Sequence, residues 1–324
     1  MKKKHIFLLT FALCIGILSI SMSNQYFFKP TEGTVSNITF AEDLVIDMQK
    51  KPMKIIPLSV ASEDELVAFR RLVAKDLQNA KKDPSIHFTV DQKRGLVSFN
   101  RGMQKYHGAF KPTLPSKKSA ENISIAFLKE SKMMPKNGEQ LKLIHNGGLK
   151  AAYVSGGKQS VTIEKLRTLT YGREIDGIPV TGEGSKIVVN VGDKGAIVSV
   201  IHKWKNTTGT AKTVSPKEMK SAEVAKKEIQ QLLAKEFLGK AQVQKIRQIY
   251  YNGNGKYIQP VFAFEAAIRS PGMEKAVTYY GIIPALIRVP EAVDLNRRGS
   301  KQAGEYIKQS NQKVLPKVSK ERLD

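Results

Sequence analysis

The stretch from Tyr171 to Val200, YGREIDGIPVTGEGSKIVVNVGDKGAIVSV, leaves this chain few choices of fold. Asp176-Gly177, Gly182-Glu183-Gly184 and Gly192-Asp193-Lys194-Gly195 cut it into short pieces, and β-branched residues fill the pieces. Glycine reaches positive φ without strain, so each break is a turn. Between the breaks the period is two. Ile187, Val189 and Val191 share one strand face; Lys186 and Asn190 lie on the other, with Val188 between them. The return strand is expected to put Val198, Val200 and Trp204 on a common face. A meander with one apolar face must be covered.

Helices flank it. Ser62 and Glu65 form a capping box, and Leu66, Phe69, Val73 and Leu77 follow as one apolar stripe. Two short strands, 87–90 and 96–99, come next, around Lys93-Arg94-Gly95. A second helix is predicted over 116–132, with Ala120, Ile123 and Phe127 facing inward. A third opens at Ser215, Pro216 and Glu218, buries Ala222, Ala225, Ile229 and Leu232, and stops at Gly239. Three strands follow, the first two joined by Asn252-Gly253-Asn254-Gly255, a hairpin signal.

The order of a helix and then several strands thus occurs twice, which predicts an α+β chain of tandem modules, each a helix packed on an antiparallel sheet. The expected divisions are a leader (1–23), a linker with one short strand (24–61), an N-terminal helix and hairpin (62–115), a helix-plus-sheet module (116–209), a second such module (210–294) and a basic, mostly disordered tail (295–324).

The leader bears on compartment. Lys2, Lys3 and Lys4 precede an apolar run from Ile6 to Met22, and Ser21 and Ser23 place small side chains before Asn24. That is the pattern of a secretory signal, and it places the chain outside the cytoplasm, secreted or in the cell envelope. Left uncleaved, the run would serve as an anchor, the one expected membrane contact. Cys14, the single cysteine of the chain, lies inside the run, so disulfides are not expected to stabilise the mature protein.

Composition limits the chemistry. The histidines, His5, His87, His107, His145 and His202, have no partner at i+4, so no metal site is expected. Asp176, Glu183 and Asp193 each adjoin a glycine and read as turn acids that bond their own backbone. No nucleophile elbow of the type Gly-x-Ser-x-Gly occurs. Catalytic, metal and cofactor residues are therefore expected to be none. The formal charge is +24. It reads as a solvated lysine face that aids solubility or as attraction to anionic envelope polymers or lipid headgroups; nucleic acid is disfavoured because no helix-turn-helix or RNA-binding signature accompanies the charge and the signal takes the chain away from the genome.

The segment LRTLTYGREIDGIPVTGEGSKIVVNVGDKGAIVSVIHKW resembles the PepSY part of the propeptide of thermolysin-like metalloproteases. The residues that carry this are Tyr171, Asp176-Gly177, Pro179-Val180, Gly182, Gly184, Ile187 to Val191, Asp193 and Gly195. VSPKEMKSAEVAKKEI is similar to the helix that follows in that family, and RGLVSFNRGM with the 116–132 helix resembles the preceding fungalysin/thermolysin propeptide module. The resemblance implies a cystatin-like helix-on-sheet fold and a non-catalytic inhibitor or folding helper for an exported protein, a metallopeptidase above all. The HExxH of the protease itself is missing from the sequence. Three other readings stay open: a lysine-rich envelope-binding or regulatory module that binds anionic surface polymers, an enzyme with an unrecognised carboxylate site, and a purely structural surface protein.

Overall fold

The computed structural model describes residues 37–293 apart from 61, 75–77, 79–85, 92–94, 109, 156–157, 254 and 272. The leader with Cys14, the tail from residue 295, Leu77, the Lys93-Arg94 turn and Asn254 lie outside the described residues. The described chain is α+β: antiparallel sheet predominates and three helices accompany it. It divides into two compact units, and neither is continuous in sequence. One comprises residues 54–213 and 249–259; the other comprises 37–53, 214–248 and 260–293.

The first unit is built on the meander. Strands β3 (Ile86–Asp91), β4 (Leu96–Arg101), β5 (Leu141–Gly147), β8 (Arg167–Ile175), β10 (Lys186–Val191) and β11 (Ile197–Lys203) form an antiparallel sheet in the order β5-β8-β10-β11-β4-β3. The short strand β9 (Ile178–Thr181) returns from β8 through Asp176 and Gly177, both at positive φ. Strands β6 (Lys150–Ser155) and β7 (Lys158–Glu164) make a separate hairpin. A further strand, β2 (Lys54–Ser59), pairs with β12 (Asn206–Thr207), with β13 (Lys212–Thr213) and with Tyr257 and Ile258.

Helices α1 (Glu63–Leu72) and α2 (Lys117–Glu130) cover one face of this sheet. The Ser62–Glu65 capping box forms as the sequence predicts. Leu66, Phe69 and Val73 of the first helix segment, and Ala120 and Leu128 of α2, bury against Val97, Phe99, Leu169, Tyr171, Ile187, Val189, Val191, Val200 and Trp204. Phe69 is the hub. It stacks on Phe88 at 5.5 Å and meets Phe99 and Phe127 edge-on at 6.2 and 6.1 Å. Tyr171 fastens α2 to β8 by a hydroxyl bond to Ser124. Ser124 donates its one proton to the Glu121 carbonyl, so it accepts from Tyr171.

Val198 departs from its expected face. A bulge pairs Ile197 with Val191 and leaves Val198 unpaired. Ile197 therefore joins the helix-covered core, while Val198 packs with Tyr106 and Leu166 elsewhere.

In the second unit, β1 (Asn37–Asp47) runs parallel to the 240–247 part of β14 (Lys240–Tyr251). β14 neighbours β15 (Tyr257–Arg269), and β15 pairs antiparallel with β16 (Val277–Pro284). Helix α3 (Ala222–Glu236) buries Ala225, Ile229 and Leu233 on this sheet, against Val243, Ile246, Phe262, Phe264 and Ile283. Ile38, Phe40 and Leu44 of β1 pack on the same core.

Two expectations need correction here. The segment 24–61, read as a linker with one short strand, carries the 11-residue β1 and also β2, which serve different units. Its alternation fails where the β1–β14 register shifts, between Phe40 and Val45, so it does not read as a strand. The third helix also starts later than predicted. Ser215, Pro216 and Glu218 do form a cap and capping box, but on a single 3₁₀ turn. Met219 then extends to bridge Leu286, and a second cap, Ser221, opens α3. Ala222 is consequently half-exposed and Leu233, not Leu232, takes the buried place.

Candidate functional site

The predicted candidates for chemistry do not gather. Asp176 lies 3.0 Å from the Lys54 ammonium group, and Glu183 sits half-exposed in its turn. Asp193 does not bond its own backbone. Its carboxylate accepts from the Thr113 amide at 2.7 Å and so holds the segment before α2 to the meander turn. No group of three or more His, Cys, Asp or Glu side chains able to hold a metal occurs among the described residues. No described helix is long and apolar enough to cross a membrane.

On the helix-covered face two basic side chains, His202 and Arg173, are buried, and His202 Nδ1 and Arg173 Nε and Nη1 have no hydrogen-bond partner among the described residues. His202 is 6% exposed, and its Nε2 donates to the Met133 carbonyl at 3.0 Å, since a carbonyl only accepts. Burial lowers its pKa from 6.5 to about 4, so the ring is neutral at pH 7. Arg173, on the same strand face as Tyr171, is 2% exposed. Its guanidinium stacks 4.1 Å from the Trp204 ring and donates to the Lys205 carbonyl at 2.6 Å. Burial lowers its pKa to about 9. Sequence reasoning missed Arg173. The signal was its parity with Leu169 and Tyr171 along β8.

The opposite face of the first unit's sheet carries neither α1 nor α2. Across it, Thr168 donates to Asn190 at 2.6 Å, and Asn190 donates to Ser199 at 2.7 Å, a polar ladder over three strands. Two rows away the register aligns Lys142, Gly172, Lys186, Lys203, Leu96 and Asp91 across six strands. Lys186 and Lys203 are half-buried, stand directly opposite one another and make no ion pair among the described residues. Burial, then the Lys203 charge, lowers the pKa of Lys186 to about 8.

Strand edges are the second feature. β3 and β5 end the first sheet, and β1 and β16 end the second; each pairs on one side among the described residues. Three of the four are guarded. β1 and β5 carry register shifts, and β3 carries Asp91. β16 has neither: VTYYGIIP pairs with β15 without a shift and contains no charged residue. Thr278 and Tyr280 on it are exposed, and Ile287 and Val289 just beyond are exposed apolar side chains.

No family model matches the sequence, and no curated protein matches it. Among solved structures, the crystal structure of an uncharacterized protein from Eubacterium rectale ATCC 33656 is similar over 78% of this chain and 92% of that one, at 10% identity and a TM-score of 0.41.

Proposed function

We propose that this is an exported, non-catalytic binding protein whose edge strand β16 pairs with an extended segment of another exported protein. The observation that carries the reading is the bare, regular, uncharged edge itself. An unpaired row of N–H and C=O groups is a template for one more strand, and natural edges are normally blunted by charges, prolines or bulges. In a chain with 25% charged residues, eight consecutive edge residues without a charge leave that template open. Pro284 stands only at the end of the strand.

In this reading the two helix-on-sheet units are cystatin-like modules of the PepSY kind, and the partner is a metallopeptidase that the protein inhibits or helps to fold. The glycine-punctuated meander from Tyr171 to Val200 supports the kinship, and the signal-like Lys2 to Ser23 segment supports the compartment. Thr278→Lys with Tyr280→Lys is the test. The wild-type chain, carrying a photo-crosslinker at Thr278, should capture a peptidase from the exported fraction of its source and reduce its activity. The double variant should bind at least about tenfold less tightly while keeping its far-UV circular dichroism. Equal capture by the double variant, or a captured fraction with no peptidase, refutes the reading.

A further inference from the structure

We infer that the face of the first unit's sheet away from α1 and α2 is a seat for a linear phosphate polymer, lying along the row Lys142, Lys186 and Lys203. The row follows from register alone. Lys142 pairs with Gly172, Gly172 with Lys186, and Lys186 with Lys203, so all three lysines stand on one face and in one line. Strands are about 4.8 Å apart, so the line from Lys142 to Lys203 is roughly 14 Å long. That length suits successive phosphates of an extended chain better than one isolated ion.

Two further observations, the opposed lysines and a buried hydroxyl, point to an anion. Like charges directly opposite each other on neighbouring strands destabilise a sheet. Lys186 and Lys203 are so placed, with no carboxylate in ion-pair reach of either among the described residues. Two carboxylates adjoin the row: Glu174 pairs with Lys142 at 3.9 Å, and Asp91 stands at the far end, two strands beyond Lys203. Gly172 contributes no side chain to the middle of the row; Ile144, projecting from the β5 bulge, lies over it and is 54% exposed. Finally Thr170, one row along β8 on the same face, has a buried hydroxyl without a partner among the described residues. An anion over the row would relieve the repulsion and return Lys186 toward its ordinary protonation.

The row is independent of β16, so each idea can fail without the other. Binding is measured by calorimetry on the full chain, with linear polyphosphate, inorganic phosphate and vesicles of anionic phospholipid as three probes. Polyphosphate should bind, and its log K should fall with log salt with a slope of about −2, close to 0.7 for each of three lysines. Lys186→Gln with Lys203→Gln should weaken binding at least tenfold and reduce the slope by about 1.4. Lys227→Gln with Lys235→Gln, exposed on α3, removes the same charge elsewhere and should change affinity less than twofold. A second readout is the Lys186 ammonium signal in NMR, whose titration midpoint should move up from about 8 when polyphosphate is added. Equal weakening by both double variants would reduce the effect to net charge and overturn the inference. Inorganic phosphate binding as tightly as the polymer, or capture by vesicles alone, would also overturn it.

Discussion

Replacing His202 by glutamine should remove a pH dependence of stability that the wild-type first unit carries. The ring is buried between β11 and the chain after α2, with Nε2 on the Met133 carbonyl. Burial is the main cause of its low pKa, about 4 against 6.5 in an open chain; the Met133 bond and the Glu65 charge oppose it only in part. The folded pKa therefore lies below the unfolded one. Above pH 6.5 neither state is protonated and the site costs nothing. Between pH 6.5 and about 4 the unfolded chain takes up a proton that the folded chain refuses, so stability falls as pH falls. At about 1.4 kcal/mol per tenfold change, the full loss is on the order of 3 kcal/mol, and about 2 kcal/mol of it is spent by pH 5. Glutamine keeps a donor for Met133 and does not titrate. Trp204, the single tryptophan, lies two residues away in the same core and reports the unfolding by fluorescence. Urea unfolding of both proteins at pH 7.5 and pH 5.0 makes carboxylate effects common to the pair, and the gap between them should shift by about 2 kcal/mol in favour of glutamine at the lower pH. An unchanged gap would refute the argument that burial holds this ring neutral.

Phe69→Ala removes the ring at the centre of the first core's aromatic cluster. It should cost roughly 3–5 kcal/mol, read as a lower urea midpoint by Trp204 fluorescence. Gly281→Ala would put a Cβ 2.1 Å from the buried Phe264 ring, and the second unit should lose about 1–3 kcal/mol, seen as a lower thermal midpoint by circular dichroism. Tyr171→Phe leaves the Ser124 hydroxyl without its donor and should cost about 1 kcal/mol while the fold is retained.

What the sequence determined by itself is local. The Ser62 capping box, the hairpin at Asp176-Gly177 and the alternation of Ile187, Val189 and Val191 each depend on residues within a few positions of one another, and each takes the predicted form; on α2, Ala120 is buried as predicted, but Ser124 and Leu128 are buried more deeply than Ile123 and Phe127. Lys186 and Asn190 on the far face were legible for the same reason. What only the tertiary structure decided is pairing between distant segments. β1 joins β14 across 203 positions of sequence, from Asn37 to Lys240, and no periodicity in Asn37–Asp47 announces that neighbour. The single extra residue of the β11 bulge exchanges Ile197 for Val198 in the core. The alignment of Lys142, Lys186 and Lys203 exists because three separate registers agree, and the openness of β16 exists because no later strand covers it among the described residues. Side-chain parity is written into a strand, but the identity and register of its neighbour are set by which apolar faces can be buried together, a property of the assembled sheet.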